Sequence, residues 1–148
     1  MMNKLEHAIC FALEAHSGQT DKQGKAYFWH VLAVAQAGKN EDEQIVGALH
    51  DVLEDCSAFY KWEVRNYVTA EQFVALELLS RIKSDGTKKK DEDYYAGIRG
   101  NALAKAVKEN DIGHNTSPER MGPLPENQRV YLTEKYRKAR IALEVGAV

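Results

Sequence analysis

Between Ile45 and Leu53 the chain is apolar around most of a helical circumference, through Val46, Ala48, Leu49 and Val52, yet it carries His50-Asp51 inside that run. A helix apolar on nearly all sides lies in the middle of a fold. A carboxylate taken there costs several kcal/mol unless a cation or hydrogen bonds replace its water. The pair therefore predicts a helical core built around something positive, and a metal ion answers that need best. Adjacent helical residues point about 100° apart, so both side chains can address one ion. Two further ligands are within the pattern. His30 stands among Phe28, Val31 and Leu32, and Asp111 follows the apolar run Leu103, Ala104, Ala106 and Val107. Two imidazoles with two carboxylates form a mixed nitrogen and oxygen shell. Such a shell suits manganese first, with iron, cobalt or zinc as alternatives, rather than a thiolate-selective metal. Coordination positions left open for water and a phosphate oxygen would make the ion a Lewis acid.

The rest of the chain reads as helices and loops. Leu5, Ala8, Ile9, Ala12 and Leu13 recur at helical spacing over Asn3 to about His16, and Ser17-Gly18 ends that helix. A polar loop covers Gln19 to Tyr27, and a second helix runs from Phe28 to Ala37, stopped by Gly38-Lys39-Asn40. The third is expected to continue unbroken from Glu41 through Leu53, its first turn acidic as the helix dipole favours. A helix from Thr69 to Ile82 opens on a capping box with Gln72. Two more follow near Asp91–Arg99 and Asn101–Asn115. After Pro118, Pro123 and Pro125 a last helix covers about Glu126 to Val145. No repeat, low-complexity tract or strand pattern intervenes, so the fold class is all-α.

At 148 residues the chain fits a single domain that needs no staple in order to fold. Its net charge of −2 argues against a generic nucleic-acid binder. Glu and His inside the apolar N-terminal run exclude a signal peptide or membrane span there, and a cytoplasmic setting is expected. Cys10 and Cys56 lack metal spacing and read as buried free thiols.

The order His30, His50-Asp51, Asp111 resembles the HD-domain metal-dependent phosphohydrolases. Within them, His16-Ser-Gly-Gln19 with Lys22, Gly24, Tyr27 and His30 resembles a segment of the RelA/SpoT-type (p)ppGpp hydrolases. His50-Asp-Val-Leu-Glu54-Asp55 resembles their HDVxED motif, and Val107 to Asn115 their VKLADRLHN. The likeness spans about residues 5 to 122 and extends to short stand-alone alarmone-hydrolase-like proteins, whose C-terminal pattern is similar to Glu134-Lys135-Tyr136-Arg137. It implies a single compact HD-domain helical bundle over residues 1–148, with core motifs in 16–115 and a C-terminal helix over about 126–145. It also implies metal ligation by His30, His50, Asp51 and Asp111, and nucleophile activation by Glu54 and Asp55. Lys22, with Lys25 and Arg120, would bind phosphate, and Asn115 the substrate or a ligand. Asp21, expected among the substrate-binding residues, stands where the resemblance has an arginine that packs on guanine, so it would accept hydrogen bonds from a base edge or sugar hydroxyl, or pair with Lys22 or Lys25, rather than stack.

The activity so implied is hydrolysis of a phosphorylated nucleotide, (p)ppGpp 3′-pyrophosphate hydrolysis foremost. Two alternatives stay open: another nucleotide substrate, or a slow or non-catalytic nucleotide-binding module. Among the other residues, His16 reads as structural, His7 as surface, and His114 as either a support for the ligands or a surface group. Lys88-Lys89-Lys90 reads as a solvated run, and Phe59, Tyr60 and Trp62 as core and lid packing.

Overall fold

The computed structural model describes residues 1–144; Val145, assigned to the last helix from the sequence, lies outside the described residues. The helices are α1 (Lys4–Ala15), α2 (Phe28–Ala37), α3 (Glu41–Leu49), α4 (Val52–Asp55), α5 (Ala58–Glu63), α6 (Ala70–Leu79), α7 (Asp91–Arg99), α8 (Ala102–Asn115), α9 (Pro118–Met121) and α10 (Glu126–Glu144). A 3-10 turn, Val64–Tyr67, follows α5. No strand forms among the described residues. Isolated antiparallel bridges, Thr20 with Ala26 and Ile82 with Lys88, close the two polar loops. The fold is all-α, and no described helix is long and apolar enough to cross a membrane.

Local chemistry sets the helix starts. Asn3 and Glu6 form a reciprocal capping box on α1, and Thr69 and Gln72 form another on α6. Asn40 caps α3 and Asn101 caps α8 through their side-chain oxygens. Pro118, at the first position of α9, starts that helix rather than merely breaking the chain.

α3 is the central element, packed against α1, α2, α6 and α8. Ile45, Val46, Ala48 and Leu49 are fully buried, with Val31 and Val34 of α2, Leu76 of α6 and Ile112 of α8 around them. Gly47 permits the α2–α3 approach: a Cβ there would meet Val34 O at 2.9 Å and Ala35 Cα at 3.2 Å. α10 packs along α7 and touches α8, bringing Tyr136 towards the core.

Three expectations change. The helix expected to run through Leu53 breaks at His50-Asp51, where Asp51 has φ −102° and ψ 0°, and a short α4 begins afterwards. A straight helix would turn Glu54 and Asp55 on the geometry of α3; the break re-aims them. Cys10 is exposed rather than buried, and Cys56 alone is a buried thiol. Of the three aromatics after Cys56, Tyr60 packs edge-on against Phe11, but Phe59 and Trp62 are exposed.

Candidate metal centre

Two helices and one helix break bring the predicted ligands together. His30 projects from the first turn of α2, Asp111 from α8, and His50-Asp51 from the junction of α3 and α4. His30 Nε2 lies 2.9 Å from Asp111 Oδ1. His50 Nε2 lies 3.1 Å from Asp51 Oδ2 and 3.5 Å from Asp111 Oδ1. Ligand atoms of His30, His50 and Asp51 all fall within 4.8 Å of one another. His30, His50 and Asp111 are buried.

Each ligand is held from behind. His50 Nδ1 lies 2.6 Å from Gly47 O and donates to it, so in the neutral ring Nε2 carries the lone pair. Tyr27, just before α2, donates its hydroxyl to Asp51 Oδ2. Lys108, one turn before Asp111, reaches Asp111 Oδ2 at 3.1 Å, and Asn115, one turn after it, donates to Oδ1 at 3.1 Å. His30 is bonded at both nitrogens: its Nδ1 meets His114 Nδ1 at 2.8 Å while Nε2 faces Asp111.

The electrostatics call for positive charge at one point. Burial lowers the His50 pKa, but Asp51 and Asp111 outweigh it and raise it well above the ordinary histidine value. Burial raises the Asp111 pKa, but the Lys108 charge, the hydrogen bond from His30 and the nearby His50 charge hold it well below the usual carboxylate range. Asp51 is likewise held down to about 2, burial being overcome chiefly by the His50 charge, with the Tyr27 hydroxyl adding to it. His50 Nε2 is nonetheless buried without an aligned hydrogen-bond partner. A lone pair surrounded by two carboxylates and an imidazole needs a cation, and a proton or a divalent ion fills that position. The donor set and this orphaned nitrogen fit a divalent transition metal.

The centre forms one wall of a cavity of about 480 Å³. Glu54 and Asp55 line it beside Asp51, their carboxylate oxygens within 4.8 Å of one of its own. Burial, then the Asp51 and Glu54 charges, raises the Asp55 pKa to about 6, and Glu54 is raised by burial and Asp51. Glu54 Oε1 accepts from Arg81 N at 3.2 Å, which fixes its position. The cavity also holds Lys22, Arg120 and Asn115.

Asp21 and Lys25 do not line it. The Asp21 carboxylate accepts from the backbone N–H of Gln23 and Lys25 at 2.8 and 2.9 Å, and its other oxygen lies 3.7 Å from Arg120 Nη1. It shapes the loop and steadies Arg120, whose Nη2 donates to Asn115 Oδ1 at 3.2 Å. Lys25 is exposed on the outer side of the same loop. His16 is buried against Gln19 and Cys56, behind Tyr27.

Sequence reasoning assigned no site role to Arg81, Tyr94, Tyr95, Lys108 or Lys135, and placed Tyr136 only on the inward face of the last helix; all six line the cavity. Lys108 was findable from its one-turn spacing to Asp111. Arg81 and Lys135 carry no local signal, because only the tertiary packing of α6 and α10 turns them inward. No family model matches the chain, and no curated protein matches it. The cluster is a His/Asp site able to hold a divalent metal ion, and its chemistry has to be read from its own residues.

Proposed function

We propose that this chain is a metal-dependent phosphohydrolase of the HD type acting on a phosphorylated nucleotide, with (p)ppGpp 3′-pyrophosphate hydrolysis the first reaction to test. One observation carries the reading. The orphaned His50 Nε2, ringed by His30, Asp51 and Asp111, opens into a cavity that also holds an acidic pair and five cations: Lys22, Arg81, Lys108, Arg120 and Lys135. That combination suits a substrate rich in phosphate and a reaction that moves a proton.

His30, His50, Asp51 and Asp111 would hold the ion, which when bound supplies Lewis-acid polarisation and a more acidic water. Asp55, its pKa near 6, is charged at neutral pH yet basic enough to accept a proton from an attacking water. Glu54, tied to Arg81 N, keeps that water oriented. The water oxygen forms the new bond to phosphorus, and the bond to the ester oxygen breaks. Lys22, Arg120 and Lys135 stabilise the charge gathering on the phosphoryl and leaving oxygens. Lys108 is occupied by Asp111 and acts through it.

A nucleotide without guanine is the second reading, favoured by the fate of Asp21. Its carboxylate is used within its own loop and on Arg120, and no arginine stands at position 21 to stack on guanine. The cavity offers Tyr95 and Tyr136 instead. The test is purified protein with manganese against a panel of nucleotides, with phosphate and pyrophosphate release read separately. Pyrophosphate from (p)ppGpp supports the first reading, and turnover confined to other nucleotides the second. No release from any of them with any divalent metal overturns both.

A further inference from the structure

A second cavity, of about 600 Å³, lies back to back with the metal cavity and shares no lining residue with it. Along the segment that ends α6, side chains alternate between the two: Leu79 and Arg81 line the metal cavity, Ser80 and Ile82 the other. On α4, Glu54 lines the first and Leu53 the second.

The second cavity has a built chemical character. Leu53, Phe73 and Ile82 supply apolar surface, and Lys61, Arg65, Lys83 and Lys89 stand around it, with a single carboxylate, Glu77, among the lining residues. None of those four cations forms an ion pair among the described residues. Lys89 is positioned by donating to Glu77 O, at 2.7 Å, near the end of α6. Trp62 is 63% exposed, and the Arg65 guanidinium lies 4.1 Å from its ring centroid and 5.3 Å from that of Phe73. Arg65 covers part of the indole, but the rest of its apolar surface faces the cleft, as do the four cations, without an anionic partner among the described residues. A planar base over an apolar floor, with anionic oxygens among the cations, partners both. The volume falls in the range of small-molecule sites.

We propose that this cleft binds a nucleoside phosphate, its base stacked on the Arg65–Trp62 pair and its phosphates held by Lys61, Lys83 and Lys89. The site is separate from the metal centre and does not depend on the activity proposed there.

The chain has two tryptophans, so Trp29→Phe leaves Trp62 as the sole indole reporter. Metal-stripped Trp29→Phe protein is titrated with ATP, with inorganic triphosphate and with adenosine, while Trp62 fluorescence is followed. A saturable change is expected with ATP, at a lower concentration than with either half alone. Lys61→Ala combined with Lys83→Ala should raise the half-saturating ATP concentration about tenfold or more, while Lys135→Ala, in the metal cavity, leaves it unchanged. No saturable change at millimolar ATP overturns the proposal. So does equal affinity for triphosphate alone, which marks an anion patch. A response lost in Lys135→Ala but kept in the double lysine variant overturns it too, since it reports the metal cavity.

Discussion

His30 and His114 meet Nδ1 to Nδ1 at 2.8 Å, edge to edge with their ring planes 22° apart, so one nitrogen of the pair carries the proton and the other the lone pair. For His30 Nε2 to ligate an ion, His30 must carry its proton on Nδ1 and His114 must accept it. Burial, then the His30 charge, lowers the His114 pKa and keeps its ring neutral for that task. His114→Phe removes the acceptor and leaves a buried N–H without a partner. Manganese affinity is expected to fall about 10–100-fold, with His114→Gln recovering part of it through its amide oxygen. Calorimetry on the three proteins decides this; equal affinities would mean the contact does nothing for the metal.

Glu54→Gln and Asp55→Asn separate proton transfer from metal binding. Neither side chain supports a ligand from behind, so both variants should keep the wild-type metal content. Loss of a general base costs a factor of about 10²–10⁴ in turnover. Metal analysis and kinetics on the same samples test it, and full activity in both variants would make the acidic pair structural.

Asp55 also sets a pH dependence. It is the base only when ionised, so the rate should drop as pH falls through about 6 and level off above it. The raised pKa means the folded chain holds that proton more tightly than the unfolded chain, whose carboxyl titrates near ~4. Acidification through that window stabilises this position, and the ionised form is a burden on the fold at neutral pH. Asp55→Asn keeps a neutral group there. In metal-free protein at neutral pH its Tm should equal or exceed that of the wild type while its activity falls, and a lower Tm would contradict the sign.

Lys108 and Asp111 form a buried pair, and truncating one partner strands the other's charge. Burial lowers the Lys108 pKa, but the Asp111 and Tyr94 oxygens more than reverse this, so the ammonium stays charged. Lys108→Met should cost about 3–5 kcal/mol in metal-free protein. A bound cation then compensates Asp111, so the rise in Tm on adding manganese should be larger in Lys108→Met than in wild type. Parallel melting curves, with and without metal, test this.

Much of the fold was legible because helix signals are local. Asn40, Thr69-Gln72 and the apolar spacing of α2 mark boundaries that a few neighbouring residues decide. The convergence of His30, His50, Asp51 and Asp111 was legible because polar groups inside apolar runs need a compensating partner. The break at His50-Asp51 was not, since Gly47 is the one weak helix former in Ile45–Leu53 and lies a turn before it; the bond from Tyr27 to Asp51 that accompanies the break comes from a distant part of the chain. Asp21 was read by what it replaces, whereas its role follows from a turn that only Gln23, Lys25 and Arg120 reveal together. Trp62 was read as packing because exposure of one aromatic residue in a short helix has no sequence signature.

Everything proposed for the centre depends on one divalent ion held by His30, His50, Asp51 and Asp111. Chelator-stripped protein is titrated calorimetrically with manganese, beside His50→Ala and Asp51→Asn, while Tm is followed in parallel. Wild type should bind one ion per chain, gaining about 2.7 kcal/mol of stability when free metal reaches a hundred times Kd. Both variants should lose most of that binding and of the Tm response. Wild-type protein that takes up no metal, or variants that bind it as tightly as wild type, would contradict the assignment.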